Sequence, residues 1–276
     1  MGRITVRRRV VRHEVGAPTV RAEDTLVVEE PLDIRVNGKP LTVTMRTPGN
    51  DVELAIGFLL AEGIIASGED VFSGEFCPGA TDGGLNTYNV LNMTLAPGVA
   101  APAPGLARNF ITASSCGVCG KSSIDAVRTS SRFAVADDPL RLTSEAVAQL
   151  PARLRAEQTV FDRTGGLHAA GLVDGSTGRL LAVREDVGRH NAVDKVIGWA
   201  ASHRGLPLSG TVLVVSSRAS FELVQKAYMA GIPALVAVSA PSSLAVEFAV
   251  ETGMTLIGFV RDSSMVVYSG AHRVTA

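Results

Sequence analysis

Residues 211–260 read TVLVVSSRASFELVQKAYMAGIPALVAVSAPSSLAVEFAVETGMTLIGFV, and this stretch decides the fold class. Three runs, Thr211 to Ser216, Ile232 to Ser239 and Met254 to Val260, are apolar, strand-sized and bounded by Ser, Gly or Pro. Between them, Ser220 to Gly231 and Ser242 to Thr252 read as helices, each opening on a serine. Strand–helix–strand–helix–strand predicts parallel neighbours joined by crossover helices, hence an α/β sheet. Ligands on such sheets bind at the carboxyl ends of the strands. That places Ser216 to Ser220, Ala240 to Ser243 and Arg261 to Ser264 along one rim, rich in hydroxyls and carrying Arg218 and Arg261.

Working upstream, Thr143 to Glu157 predicts a helix, Leu167 to Val173 and Leu180 to Arg184 strands, and Gly188 to His203 a further helix. The N-terminal part is β-rich. Leu32 to Val36, the dipeptide Asn37-Gly38, and Leu41 to Met45 form a hairpin signal, because Asn-Gly supplies the positive φ angles of a tight primed turn. A helix opens at Asn50 or Asp51 with Asn50 as its cap and Leu54, Phe58, Leu59 and Ile65 on its buried face. Asn86 to Leu95 reads as a strand. Ala96 to Gly105, with Pro97, Pro102 and Pro104, reads as a linker or exposed loop. A boundary near Leu106 therefore divides the chain into a β-rich α+β part, residues 1–106, and an α/β part, residues 107–276.

Bulk properties narrow the function classes. The chain has 276 residues, 46% hydrophobic and 19% charged, with a formal net charge of -1. This is globular composition, and its balance argues against broad binding to nucleic acid or to an anionic membrane. Arg7, Arg8, Arg9 and Arg12 form the one basic cluster, read as a solvated edge strand blunted by charge. No apolar run reaches membrane-spanning length and the start lacks an apolar signal core, so the expected location is cytoplasmic.

Cysteine usage is sparse: Cys77, Cys116 and Cys119. An odd, low count does not read as a secreted disulfide framework. Cys77 precedes Pro78 in a Gly-rich loop and reads as incidental or packed. The run Ser115-Cys116-Gly117-Val118-Cys119-Gly120 is the strongest chemical signal. Glycines leave its backbone amides open, and Lys121 to Val127 reads as a helix whose positive end would lower a thiol pKa. A thiolate so activated can take a sulfur atom, hold it as a persulfide and pass it on. Competing readings are a structural zinc site, for which four ligands are not evident; a thioredoxin-like dithiol; and an inert structural pair.

Other polar runs admit a functional and a plain reading. In Thr164-Gly165-Gly166-Leu167-His168, His168 is either a pocket histidine or a satisfied core one. Zinc nucleobase deaminases use His-x-Glu followed by Pro-Cys-x-x-Cys. Here Ala170 stands where that Glu would be and the cysteine pair precedes the histidine, so deaminase chemistry lacks its proton shuttle. Arg189, His190 and Asn191 are candidates to hold phosphate or a base, while Asp194 and Lys195 read as a solvated helix face and Asp186 as a helix cap. Ser217 and Arg218 sit where strand passes to helix and suit an anion; plain capping by Ser220 with Glu222 nearby is the alternative. No Walker loop is present.

Four motifs, in order, resemble the FdhD/NarQ family, the formate dehydrogenase accessory sulfurtransferases. They are Ser114 to Lys121, Thr164 to Ala170, Glu185 to Lys195, and Ser220 to Lys226 running on to Ala240 to Ala245. The resemblance covers nearly the whole chain and is strongest from Asn109 to Arg261. It implies a cytidine-deaminase-like C-terminal domain with a mixed sheet and flanking helices, an added N-terminal part, and a homodimer. It also implies that sulfur passes from a cysteine desulfurase to Cys116 as a persulfide, with Cys119 assisting. From there it would pass to a molybdenum bis(molybdopterin guanine dinucleotide) cofactor, bound as substrate before insertion into a formate dehydrogenase catalytic subunit. Phe259, Val260, Arg261, Asp262, Ser263 and Ser264 are similar to the family's cofactor-binding stretch, so a GDP-like nucleotide is an expected ligand; no metal is expected. Ser217 departs from the pattern, standing where members often carry Gly. Two other classes stay open: a chaperone that shields the cofactor without covalent sulfur transfer, and a degenerate metal hydrolase.

Overall fold

The computed structural model describes residues 4–77, 81–82, 85–86, 88–102 and 131–276. Cys116, Cys119, the helix expected over Lys121 to Val127 and the boundary near Leu106 lie outside the described residues.

Strands β1 (Thr5–Arg12) and β2 (Val20–Val27) form an antiparallel two-stranded ribbon in which Arg7, Arg8, Arg9 and Arg12 are exposed. Strands β3 (Glu30–Val36) and β4 (Lys39–Arg46) are the expected hairpin, with Asn37 and Gly38 at φ 49° and 78°. Helix α1 (Asp51–Ala61) follows. Asn50 precedes it in left-handed conformation at φ 57° without a side-chain cap bond, so it turns the chain rather than capping it. The expected strand from Asn86 to Leu95 is split: β5 (Val71–Phe76) is followed by the short pair β6 (Thr81–Asp82) and β7 (Leu85–Asn86), then by β8 (Val90–Leu95). Tyr88, at φ 55°, bends the backbone between β7 and β8. These strands form a four-stranded sheet of order β4-β3-β8-β5, with β3 and β8 parallel.

The second half opens on β9 (Leu142–Thr143) and helix α2 (Ser144–Ala156), which the Thr143 hydroxyl caps by accepting from the Ala146 amide. A short helix α3 (Phe161–Thr164) leads into β10 (His168–Asp174) and β11 (Leu180–Asp186), then helix α4 (Arg189–His203). The deciding stretch forms β12 (Thr211–Val215), α5 (Phe221–Met229), β13 (Ala234–Ala237), α6 (Ser243–Thr252) and β14 (Thr255–Arg261). A strand not anticipated, β15 (Ser264–Ser269), returns antiparallel to β14, and β16 (Val274–Thr275) pairs with β9. The six-stranded sheet has the order β11-β10-β12-β13-β14-β15. Its centre, β12-β13-β14, is parallel as expected, and the outer pairs are antiparallel.

The run Thr211-Val212-Leu213-Val214-Val215 is apolar throughout because both faces of the sheet are covered. Val212 and Val214 face α2 through Val147, Leu150 and Leu154, whereas Leu213 and Val215 join a larger core. That larger core is continuous with the four-stranded sheet: Leu32, Ile34, Leu91 and Met93 share it with Val193, Val196 and Ile197 of α4. The joint is the crossing of α1 and α4. A Cβ at Gly198 would fall 1.8 Å from the Glu53 carbonyl oxygen, and one at Gly57 would fall 2.0 Å from that of Asp194. Only glycine allows the two backbones this close.

Helix α4 is not the half-solvated helix that its polar residues suggest. Asp194 and Lys195 are 2% and 1% exposed, which overturns the expectation of a solvated face. Lys195 Nζ lies 2.7 Å from Asp186 Oδ2 and donates to the Thr47 carbonyl at 2.9 Å. Asp194 accepts two bonds from Lys226 Nζ, at 2.7 and 2.9 Å. Because α4 lies between the two sheets, its charged residues need internal partners. Among the described residues, no helix is long and apolar enough to cross a membrane.

Candidate functional site

The rim that the sequence picks out is one edge of the six-stranded sheet. Strand β10 runs antiparallel to β12 and β11, so the amino end of β10 meets the carboxyl ends of β11 and β12; His168 faces Asp186 in register. The turns after β12 and β13 are stitched together. Ala219 N donates to the Ala240 carbonyl at 3.2 Å, and Ser242 N donates to that of Ala219 at 3.0 Å. The Phe259 amide reaches back to the Ser239 carbonyl at 3.2 Å.

A cleft of about 700 Å³ opens at this edge, on the α2 side of the sheet. Pro151, Ala152, Leu154 and Arg155 of α2 form one wall, with Gln158 and Phe161 beyond them. Leu167, Val187 and Val238 add apolar surface, and His168, Ser216 and Asp262 bring polar groups. The wall is held in place locally. Glu185 accepts from the amides of Val160 and Phe161 at 2.9 and 2.8 Å, which satisfies the open amino end of α3. The Arg155 guanidinium lies 4.7 Å from the centre of the Phe161 ring. Ser216 Oγ accepts from the Ala169 amide at 2.9 Å and closes the edge between β10 and β12. Such a shape, mostly apolar with a few convergent polar groups, is that of a small-molecule site.

The expected site residues fall into distinct places. His168 lines the cleft, half-buried; burial first, then the positive charges of Arg189 and His190, hold its pKa below the usual imidazole value, so it is neutral at pH 7. Arg261, Asp262, Ser263 and Ser264 are exposed and form the two-residue turn joining β14 to β15 and its flanks. Val260 is 1% exposed and packs in the core under α2, so its side chain supports the turn from below. Phe259 is 40% exposed at φ 52°, a left-handed conformation rare for a bulky residue. Strain of this kind gathers at ligand sites. Arg218 is exposed; Ser217 is buried and donates from Oγ to the Arg218 carbonyl at 3.0 Å.

On α4, Arg189 Nε is buried with no hydrogen-bond partner. Asn191 turns inward: its amide donates to the Met45 carbonyl at 2.7 Å and to Asp186 at 3.0 Å, and accepts from Thr44 at 3.3 Å. Both its N–H groups are engaged, so it positions the first turn of α4 and has no donor to offer a ligand. Asp186 is more than a cap: it accepts from Gly188 N at 2.8 Å and from Thr47 N at 3.2 Å while paired with Lys195. His190 reaches the neighbouring helix, with Nε2 3.4 Å from Ser220 Oγ and 3.9 Å from Glu222 Oε2. Sequence reasoning missed Gln158, Arg155 and Phe161, and the tie between His190 and Glu222. Among the described residues, no cluster of His, Cys, Asp and Glu could hold a metal ion.

Glu222 is held at about 2, chiefly by His190 and then by the Ser220 hydroxyl, with burial opposing. A carboxyl depressed in the folded state contributes stability above its unfolded pKa of 4.5, and that contribution is lost as pH falls toward 2. Glu222→Gln is therefore expected to cost roughly 1–2 kcal/mol near pH 5 and almost nothing near pH 2, read from urea midpoints across that range. A penalty independent of pH would refute the coupling.

Comparison with known proteins returns one family. The FdhD/NarQ family profile matches residues 27–275. The chain is 62% identical over 275 residues to a sulfur carrier protein FdhD from Streptomyces coelicolor, covering 99% of this chain and 97% of that one. It is 56% identical over 278 residues to the protein of that name from Mycobacterium tuberculosis, covering both chains fully at 100%. The same name applies to a Sulfolobus acidocaldarius protein, 43% identical over 253 residues and 92% of each chain. A crystal structure assigned to a formate dehydrogenase accessory protein from Desulfotalea psychrophila superposes with a TM-score of 0.76 at 21% identity. It covers 99% of this chain and 100% of that one, and supports the mixed α/β fold.

Proposed function

The chain belongs to the FdhD/NarQ family, and from that premise we propose that it is a sulfur carrier. It accepts persulfide sulfur from a cysteine desulfurase and delivers it to a molybdenum bis(molybdopterin guanine dinucleotide) cofactor needed by a formate dehydrogenase. The observation that carries this reading is the Cys116–Cys119 pair in a chain whose Thr164 to Ala170 and Glu185 to Lys195 motifs both contribute to one cleft.

The chemistry proceeds in two steps. The Cys116 thiolate attacks the terminal sulfur of the desulfurase persulfide; the donor S–S bond breaks, the desulfurase cysteine leaves as a thiolate, and Cys116 carries the sulfur as a persulfide. The cofactor, here the substrate, docks by its anionic nucleotide ends along the rim of Arg218, Arg261 and the amino ends of α4 and α5, where Arg189 adds a further cation. The Cys119 thiolate then attacks the Cys116 sulfur, forming a Cys116–Cys119 disulfide and releasing the terminal sulfur as sulfide to the metal. Two electrons from the cysteine pair reduce that sulfur, and a cellular thiol reductant restores the pair. Neutral His168 at the cleft can accept or donate a proton as sulfur charge changes.

The remaining expectations belong to the same reading. The six-stranded sheet and its helices form the deaminase-like part, with residues 1–106 added to it. The protein works in the cytoplasm as a homodimer, against a desulfurase and a formate dehydrogenase catalytic subunit. The direct test is mass spectrometry after incubation with a cysteine desulfurase and cysteine. The expected result is a gain of one sulfur atom on the Cys116 peptide, removed by a thiol reductant. A shielding chaperone without covalent transfer takes up no sulfur, and that outcome would refute the proposal.

A further inference from the structure

Strands β1 and β2 make a sheet of their own, and a ribbon of two strands has little to bury. Its arginines, Arg7, Arg8, Arg9, Arg12 and Arg21, are all exposed. Register and strand alternation sort them. Arg7 faces Thr25, Arg9 faces Glu23 and Val11 faces Arg21, so Arg7, Arg9 and Arg21 share one side, while Arg8, Arg12 and Asp24 share the other. On that other side Arg12 pairs with Asp24 at 3.5 Å. On the first side Glu23 lies 4.0 Å from Arg7, and among the described residues no carboxylate pairs with Arg9 or Arg21. This side continues beyond the ribbon. Arg9, Arg21 and Glu23 line a hollow of about 570 Å³, and Arg7 and Thr25 line another of about 560 Å³ together with Arg163 of α3, itself exposed and unpaired. Helix α3 in turn gives Phe161 to the cleft, and Val27 of β2 seats against Gly166 at its mouth, where a Cβ would come 3.1 Å from Val27 Cγ1. Four guanidinium groups and one carboxylate therefore form a stripe from the ribbon to the α3 side of the cleft. Residues 103–130 hold one carboxylate, Asp125, against Arg108, Lys121 and Arg128, so that segment cannot neutralise the stripe.

We propose that this stripe is the docking surface for the protein that donates the sulfur, and that the donor meets it with an acidic face. The inference rests on the sulfur-carrier reading, in which the donor is a cysteine desulfurase, and adds where that donor sits. A small anion engages one or two guanidinium groups, whereas positions 7 to 11 alone span about 13 Å of strand. Arginine interleaved with Val10, Val11 and Val20 is the composition of a protein interface. Val11 lies on one side of the ribbon and Val20 on the other, so neither side is apolar enough to enter a bilayer. Glu14, Glu23 and Asp24 repel a uniform polyanion such as DNA, but on a patterned protein surface they set register. The donor must bring its own persulfide to this chain, and the stripe leads to the cleft from the α3 side. Neither Arg218 nor Arg261 lines its hollows, so a docked donor leaves the rim to the cofactor.

The test measures the affinity of the purified full chain for a purified cysteine desulfurase, and the rate at which Cys116 gains sulfur from that enzyme and from glutathione persulfide. Melting temperatures check that each variant is folded. Arg9→Glu combined with Arg21→Glu is expected to weaken desulfurase binding by roughly tenfold or more, to flatten its salt dependence and to slow loading by the enzyme. Loading by glutathione persulfide, which needs no docking surface, should be unchanged. Arg163→Glu, on α3 rather than the ribbon, should weaken binding in the same direction. Arg12→Glu, on the opposite side, should stay within about twofold of wild type. Wild-type affinity in the double variant would overturn the docking surface, and so would an equal loss in Arg12→Glu. So would loss of binding to phosphatidylglycerol vesicles with desulfurase binding intact, which would assign the stripe to a membrane. Absence of sulfur on the wild-type protein from either donor would instead overturn the carrier reading itself.

Discussion

Formate dehydrogenase activity, in a host lacking its own accessory protein, is expected to fall by roughly 100-fold or more when Cys116→Ala replaces the wild-type chain. A methyl group cannot attack a persulfide, and the other thiols are not equivalent. Cys77 is free and half-buried, and its backbone is tied to the Val90 carbonyl at 2.9 Å beside β8. Its sequence context supplies neither the flanking glycines nor the following basic residue that Cys116 and Cys119 share. Cys77→Ala should therefore rescue like wild type. Cys119→Ala should still load sulfur on Cys116 but release it slowly, because the thiolate that displaces the terminal sulfur is gone. Loading and rescue thus separate the two cysteines: neither in Cys116→Ala, loading with weak rescue in Cys119→Ala. Full rescue by Cys116→Ala would refute the carrier mechanism.

What the sequence discloses here is what local chemistry determines. The Asn37-Gly38 hairpin is legible because two positive φ angles are needed and those residues supply them. The parallel core is legible because β12, β13 and β14 are apolar runs separated by helices that each follow a serine. The rim follows from that topology, which is how the turns at Ser216, Ala240 and Arg261 could be grouped before any coordinates. Features that depend on distant packing are not legible. Lys195 reads as a surface lysine until α4 is seen between two sheets. Gln158 lies one residue past the predicted helix, and nothing in its local sequence signals that it is 3% exposed. Strand β15 escaped notice because Ser264 to Ser269 is half-exposed, and a pattern with little to bury gives a weak signal.

The second large effect concerns stability. Lys195→Met is expected to lower stability by about 3–5 kcal/mol and the melting temperature by roughly 10 °C. Asp186 is 0% exposed, and its carboxylate is paired with Lys195 at 2.7 Å. Removing the ammonium leaves that charge buried, with only the Thr47 and Gly188 amides and the Asn191 side chain bonded to it among the described residues. It also leaves the Thr47 carbonyl without the Lys195 bond of 2.9 Å. The loss is therefore mostly the cost of an uncompensated charge, and it can be tested as such. Asp186→Asn combined with Lys195→Met removes both charges while the Asn oxygen still accepts one of the backbone amides. The double variant should be more stable than Lys195→Met alone, by a coupling of about 1–3 kcal/mol. The same network fixes the first turn of α4, which carries Arg189 and His190. A Lys195→Met protein melting within about a degree of wild type would show that this pair does not hold the two sheets in register.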